Sequence, residues 1–322
     1  MKFCILGGGG CFGVNAAQYL LSQGHQVLSV GRFSEKAAPF SLELSHVNYR
    51  YLARNINTER EMLFEELDEF RPHYIVNYAA LAEVPLSYKH PDMYFETNVV
   101  SPIRLHMELR KRDWLSKWIQ IGSSEIYGSI GTIPAKETDP PKCTTPYAVS
   151  KAAFDLYLMT LQDFPWIIVR PSNAYCPGQL LHRVIPRALH AGLTLQKMPL
   201  HGGGVVRKSY FHATDLSKAI ELLAMRGITG NIYNVGPIKS IAIRDIVAMV
   251  AAYFDRSMED FCDITPGRAV EDNHFWLDSS KIRELGWSDE ITLEEGIKDM
   301  IAWARKYESI LRVMEPKYEM RA

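Results

Sequence analysis

Several things are missing from this chain. Positive charge is not massed anywhere: 36 lysines and arginines stand against 37 acids, for a formal net charge of −1, and the two signs are interspersed. Without a basic tract to follow a phosphate backbone, no nucleic-acid partner is expected. Long apolar runs are missing too. None approaches the ~20 residues that span a bilayer, so no membrane span is expected. The opening Met1-Lys2-Phe3-Cys4-Ile5-Leu6 is short for a signal peptide and runs straight into glycines. Cysteine is sparse: Cys4, Cys11, Cys143, Cys176 and Cys262 are odd in number and never spaced as CxxC. That spacing fits neither a disulfide framework nor zinc, so no metal site is expected, and a reducing cytoplasm is the expected location. Repeats, low-complexity stretches and flexible linkers are also lacking.

What is present is an alternation. With 47% hydrophobic residues over 322, the chain can bury a large core and has length enough for two lobes. Strands are predicted at 3–6, 26–30, 47–52, 74–77, 118–121 and 166–169. Helices are predicted at 12–22, 58–70, 92–112 and 147–162. Strand and helix in repetition imply an α/β fold: a doubly wound parallel sheet covered on both faces. After residue 175 the pattern loosens. Helical segments at 184–191, 213–225, 243–254 and 293–307 are separated by Gly- and Pro-rich connectors, which predicts a smaller, mostly helical C-terminal lobe.

Between the first strand and first helix lies Gly7-Gly8-Gly9-Gly10-Cys11-Phe12-Gly13, with Gly7, Gly10 and Gly13 spaced GxxGxxG. Such a turn needs positive φ and close approach of backbone to a pyrophosphate. The N–H groups that open the helix, from Cys11 and Phe12 onward, face the anion with the positive end of the helix dipole. Gly13 lets helix and strand pack closely. At the end of the second strand an acid would bind the ribose 2′-hydroxyl of NAD, but Gly31 fills that place and Arg32 follows. Arginine pairs with a 2′-phosphate, so the cofactor is NAD or NADP, with Gly31-Arg32 favouring NADP.

The run Gly122-Ser123-Ser124-Glu125-Ile126-Tyr127-Gly128 follows a buried strand and so sits where ligands bind in open α/β sheets. Farther on, Tyr147 and Lys151 are four apart and share a helix face. Free tyrosine is a poor base near neutrality. A neighbouring ammonium and a nicotinamide cation would lower its pKa, so that Tyr147 could take a proton from a substrate hydroxyl while Ser123 holds the same oxygen.

These residues resemble the extended short-chain dehydrogenase/reductase superfamily, and within it the nucleotide-sugar epimerases and dehydratases. The likeness includes the glycine loop, Asn77-Tyr78-Ala79-Ala80, Thr97-Asn98-Val99, Ser-Ser-Glu-Ile-Tyr-Gly and Pro-Tyr-Ala-Val-Ser-Lys. It continues through Arg170-Pro171-Ser172-Asn173-Ala174-Tyr175, Tyr210-Phe211-His212-Ala213-Thr214-Asp215 and Leu277-Asp278-Ser279-Ser280-Lys281. It implies a Rossmann-type sheet, with residues 1–175 binding the dinucleotide and 205–238 returning to that domain. Residues 176–204 and 239–322 would then form the substrate lobe. It also implies cofactor contacts from Ala79, Ala80, Asn98, Tyr147 and Lys151. Asn55-Ile56 stands where an Asp-Ile pair usually reads adenine. Candidate contacts to a nucleotide-diphosphate sugar are Ser124, Asn173, Arg183, Lys208 and Arg268, and the resemblance implies a homodimer built on helices 92–112 and 147–162.

The shared first step would be oxidation at sugar C4. Glu125 stands where 4,6-dehydratases of this family carry the base that acts at C5. Ser124 replaces the aspartate of dTDP-glucose 4,6-dehydratase, whereas GDP-mannose 4,6-dehydratase and UDP-glucuronate decarboxylase share Ser-Glu. The arginine of the decarboxylases is missing at Asn273, His274 and Phe275. A 4,6-dehydratase is therefore the leading expectation. A 4-epimerase comes second, a ketosugar reductase or 4-dehydrogenase third, and a non-catalytic cofactor-binding scaffold last, since Tyr147 and Lys151 are both kept.

Overall fold

A computed structural model describes residues 1–34, 39–40, 45–131, 133–267 and 274–318. The first half carries strands β1 (Lys2–Leu6), β2 (Gln26–Gly31), β3 (Tyr49–Ala53), β4 (Tyr74–Asn77), β5 (Lys117–Ile121), β6 (Trp166–Pro171) and β7 (Asn173–Tyr175). Helices α1 (Cys11–Ser22), α2 (Arg60–Phe70), α3 (Val84–Ser87), α4 (Pro91–Phe95), α5 (Ser101–Leu109) and α6 (Pro146–Met159) connect them. The second half adds β8 (Met198–His201), β9 (Arg207–Lys208), β10 (Tyr210–His212), β11 (Asn231–Val235), β12 (Ile241–Ala242), β13 (Cys262–Thr265) and β14 (His274–Phe275). Its helices are α7 (Val184–Thr194), α8 (Ala213–Arg226), α9 (Ile243–Tyr253), α10 (Met258–Phe261), α11 (Ser280–Arg283), α12 (Leu293–Lys306) and α13 (Glu308–Leu311).

One parallel sheet of seven strands runs β11-β6-β5-β4-β1-β2-β3. Its strands read as apolar runs because both faces are covered, and the two-residue period sorts the side chains. Phe3 and Ile5 enter the core under α1 and α8, while Cys4 and Leu6 enter the core under α2, α5 and α6. On β5 and β6, Ile119, Ile121, Ile167 and Val169 face the first core; Trp118, Trp166 and Ile168 face the second. A third core joins α7, α9 and α12 around Ile185, Leu189, Ile246, Val250, Ile297 and Met300. Beside it lie the parallel pair β8–β13 and the small sheet β12-β9-β14, and β7 pairs in parallel with β10. The Pro- and Gly-rich stretch 199–204, one of the segments between the later helices, thus begins as the end of a strand.

The order of strands reverses between β1 and β4, so the loops after β1, β4 and β5 open on one crevice at the carboxyl edge. The expected continuous helix over 92–112 is broken. It runs as α4, a π turn at Glu96–Val100, and α5. Pro102 lacks the N–H that would bond the carbonyl of Asn98, and the wider turn accommodates its ring. That turn aims Asn98 inward. The strand expected at 47–52 starts two residues later, at Tyr49.

Candidate active site

The glycine loop forms a cradle of backbone. Gly7 has φ +83°, and the N–H groups of Gly7 and Gly8 donate to Val30 O at 2.8 and 2.9 Å. A Cβ on Gly7 would stand 2.7 Å from Ala79 N, and one on Gly13 2.6 Å from Gly7 O. Gly10 occupies the N-cap of α1 with no side-chain cap and no acid in the first turn, leaving the first N–H groups and the positive dipole end to a ligand. The Gly7 and Gly10 N–H groups hold the turn itself, and the helix N-terminus at Cys11, Phe12 and Gly13 has the donor chemistry that suits a pyrophosphate. Ala79 and Ala80, half-buried, border the opposite side. Asn98 is buried, and its amide serves the fold: it accepts from Leu81 N at 2.8 Å and donates to Leu81 O at 3.0 Å and Ser150 Oγ at 2.9 Å. It thereby pins the Ala79–Leu81 segment to α6. Ile56 is buried in the sheet core, and Asn55 Oδ1 accepts from Asn57 N at 3.0 Å.

At the end of β2 the reason for glycine is steric. The Tyr51 hydroxyl, brought from β3, occupies the space a Cβ on Gly31 would need, and a Cβ on Gly9 would lie 2.7 Å from it. Tyr51 donates to Phe33 O at 2.9 Å, and the Arg32 guanidinium lies 5.1 Å from the centre of the Phe33 ring. A phenol thus fills the position from which a β2 carboxylate would act, and Arg32 is the charged group left beside it. Beyond, the connection from β2 reaches the second lobe, where Trp303 Nε1 donates to Pro39 O at 3.0 Å.

Tyr147 and Lys151 come from α6, whose start is fixed by Pro146 and by the Thr145 hydroxyl accepting from Ala148 N at 3.1 Å. Both side chains are buried. Ser123 hydrogen-bonds the Tyr147 phenol and also accepts from Glu125 N at 3.2 Å, which caps the short 3₁₀ turn Ser124–Tyr127. Ser123, Glu125 and Tyr147 are thereby brought together. Within the chain itself, burial dominates the electrostatics of this pair. Burial pushes the Tyr147 phenol well above its ordinary value, Glu125 adds to the rise, and Ser123 and Arg183 oppose it. Lys151 does not relieve this: its Nζ donates to Ile121 O at 2.6 Å, and burial pulls it down to about 8, with Asp155 opposing. Within the chain, only Ser123 and Arg183 act to lower the phenol, and burial outweighs them.

Beneath the turn lies a buried polar network that sequence reading missed. Arg170 Nε donates to Asp155 at 3.0 Å, and its Nη1 donates to Tyr127 Oη at 2.8 Å. Tyr127 donates to Asn234 Oδ1 at 2.9 Å. It ties β6, β11 and α6 to the turn that carries Glu125.

Of the substrate candidates, Ser124 is buried in that turn. Asn173 and Lys208 are neighbours: Asn173 N donates to Ser209 O at 3.0 Å, and both side chains are half-buried. Arg183 precedes α7 and pairs with Glu83, which His182 also contacts at 2.9 Å. Glu83 was also overlooked, although it follows β4 at the ligand-binding edge. Arg268 and Asn273 lie outside the described residues. Among the described residues no group of His, Cys, Asp or Glu is arranged to hold a metal, and no helix is long and apolar enough to cross a membrane.

Comparison with known proteins agrees with this arrangement. A family model described as GDP-mannose 4,6 dehydratase matches residues 4–300. The chain belongs to this family. It is therefore an enzyme of the extended short-chain dehydrogenase/reductase type, with a Rossmann-type fold, grouped with nucleotide-sugar epimerases and dehydratases. A probable dTDP-glucose 4,6-dehydratase of Sinorhizobium fredii is 26% identical over 94% of this chain and 92% of its own length. A trifunctional UDP-glucose 4,6-dehydratase/epimerase/reductase of Arabidopsis thaliana is 26% identical over 71% of this chain, which spans only 35% of that longer protein. Among solved structures, a dTDP-glucose 4,6-dehydratase of Streptomyces venezuelae with NAD and TYD bound superposes with TM-score 0.88 at 24% identity, covering 96% of this chain and 98% of the other. A UDP-glucose 4-epimerase of Thermus thermophilus in complex with NAD gives 0.85 at 24%, covering 95% and 99%.

Proposed function

We propose that this family member is a 4,6-dehydratase of a nucleotide-linked hexose. The observation that carries the reading is the placement of Glu125. It stands half-buried close enough to load its charge onto Tyr147, in a turn fixed by Ser123. On this reading Tyr147 accepts the proton of the C4 hydroxyl and Ser123 holds that oxygen. Glu125 then takes the C5 proton that the C4 ketone has acidified and hands it to the C6 hydroxyl, which leaves as water as the C5–C6 double bond forms. A bound dinucleotide would supply the hydride acceptor for C4 and the hydride donor for C6, with a solvent-exchanged proton reaching C5 by way of Glu125. Lys151 serves the site as a buried cation on the same helix face.

The cofactor proposed is NADP, supported by Gly31, by the Tyr51 phenol that keeps it a glycine, and by Arg32. The NAD in the similar structures supports the alternative. The mass of the dinucleotide released from purified protein separates them. A 4-epimerase is the second reading. It is favoured by Ser124, which cannot supply the acid that the dTDP-glucose dehydratases place there.

Incubation with dTDP-glucose, UDP-glucose and GDP-mannose tests the reaction. A dehydratase yields a product lighter by about 18 mass units, one water, whereas an epimerase leaves the mass unchanged. Glu125→Gln should abolish water loss and solvent deuterium uptake at C5; full activity in that variant removes Glu125 from the mechanism. Tyr147→Phe should lower turnover by roughly 10²–10⁴-fold. The family likeness also supports a homodimer through α5 and α6, whose Met107, Val149, Leu156 and Met159 are exposed apolar residues.

A further inference from the structure

The chain does not end at α13. Met314 packs on the core shared by α7, α9 and α12, and its backbone hydrogen-bonds His190. Tyr318 then meets His182 edge-on, with ring centres 5.0 Å apart. His182 Nε2 contacts Glu83 Oε1 at 2.9 Å, and the same oxygen pairs with Arg183. The Glu83 carbonyl accepts from Tyr94 Oη at 2.5 Å, and the Tyr94 ring meets the Tyr147 ring edge-on at 6.4 Å. Contacts therefore run unbroken from Tyr318 to Tyr147.

The charges around Tyr318 locate it further. Burial and Glu83 push its phenol up, while Arg32 and Arg183 oppose them. Glu83 and Arg183 also act on Tyr147. Tyr318 thus lies within electrostatic reach of Arg32, which follows β2, and of Arg183, which precedes α7. A tyrosine phenol is protonated at neutral pH and is therefore a donor. A donor beside an arginine suits a diphosphate oxygen, and an aromatic ring suits the apolar face of a sugar.

We infer that residues 314–318 form a wall of the sugar-nucleotide pocket and that Tyr318 contacts the bound nucleoside diphosphate sugar. The inference rests on the reading of the substrate given above. Nothing in the motif pattern marks this segment, because it reaches the site from a different lobe and after the last helix.

Tyr318→Ala and Tyr318→Phe in the full chain provide the test. Affinities for dTDP, UDP and GDP are measured by titration calorimetry, and KM and kcat with whichever sugar nucleotide is consumed. Tyr318→Ala should weaken diphosphate binding and raise KM about tenfold, the usual cost of one lost hydrogen bond with its contact. It should leave kcat within about threefold and the co-purifying dinucleotide unchanged. Tyr318→Phe keeps the ring and should fall between. Affinity and KM equal to the unaltered protein's in Tyr318→Ala would overturn the inference, and so would a lower kcat at unchanged KM, which places Tyr318 in the support of the site. If the unaltered protein binds no nucleoside diphosphate, the proposed function falls as well; binding that ignores Tyr318 overturns the wall alone.

Discussion

Replacing Lys151 with methionine should change how stability depends on pH, by an amount the structure sets. Lys151 is 4% exposed, and burial pulls it from an ordinary 10.5 to about 8. Below about pH 8 the folded and unfolded chains both carry the proton, so the full cost of burying the ammonium is present. Between about 8 and 10.5 the folded chain loses the proton first. The unfolded chain then binds more protons, and stability rises with pH. At about 1.4 kcal/mol per pH unit the whole interval comes to about 3 kcal/mol, of which about 2 kcal/mol is realised between pH 7 and pH 9.5. Tyr147 acts in the opposite direction only above its ordinary 10.0, because burial holds its phenol protonated in the folded chain. Urea unfolding of the unaltered protein and of Lys151→Met at both pH values isolates the lysine and its partner Asp155, since titrating groups that do not interact with Lys151 cancel in the difference. The unaltered protein should gain about 2 kcal/mol over the variant on going to pH 9.5. Orphaning the Ile121 carbonyl, which Lys151 reaches at 2.6 Å, offsets both pH values alike. Equal pH dependence in the two proteins would refute the buried, depressed lysine.

Other perturbations follow from the same contacts. Gly31→Asp should destabilise the fold by about 1–3 kcal/mol, because its Cβ overlaps the Tyr51 hydroxyl; adding Tyr51→Ala should recover part of this in a thermal melt and shift dinucleotide preference toward NAD in a binding titration. Asp155→Ala should cost about 3–5 kcal/mol in denaturant unfolding, since it strands Arg170, itself 2% exposed. Leu156→Arg on the exposed face of α6 should give monomers in sedimentation if α5 and α6 pair between subunits.

Much of the fold is legible because its signals are local. β1 alternates between two cores and needs both faces apolar, and the glycine loop must stay glycine where Cβ atoms would strike Ala79 N and Gly7 O. Local signals also mark Ser123, Glu125 and Tyr147, since a strand end and a helix start are visible in the chain itself. The residues that escaped notice act through space. Asp155, Arg170, Tyr127 and Asn234 form one network from four separate segments, and none has a partner near it in sequence. The break in the helix at Asn98 is intermediate: Pro102 announces it, but only the folded chain reveals that the wider turn turns an amide onto Leu81.

The same distinction sharpens the electrostatics of the tyrosine. A four-residue spacing places Tyr147 and Lys151 on one face, and from spacing alone the ammonium looks like the group that activates the phenol. Within the chain itself burial outweighs that effect, because desolvation raises the phenol and lowers the lysine together. The chain alone therefore holds Tyr147 protonated, and Glu125 reinforces that state. A base that is inactive until a cationic dinucleotide lies against it would remove a substrate proton only when a hydride acceptor is in place. On the function proposed above, that coupling is what the burial of Tyr147 and Lys151 beside the half-buried Glu125 would add over a surface tyrosine–lysine pair.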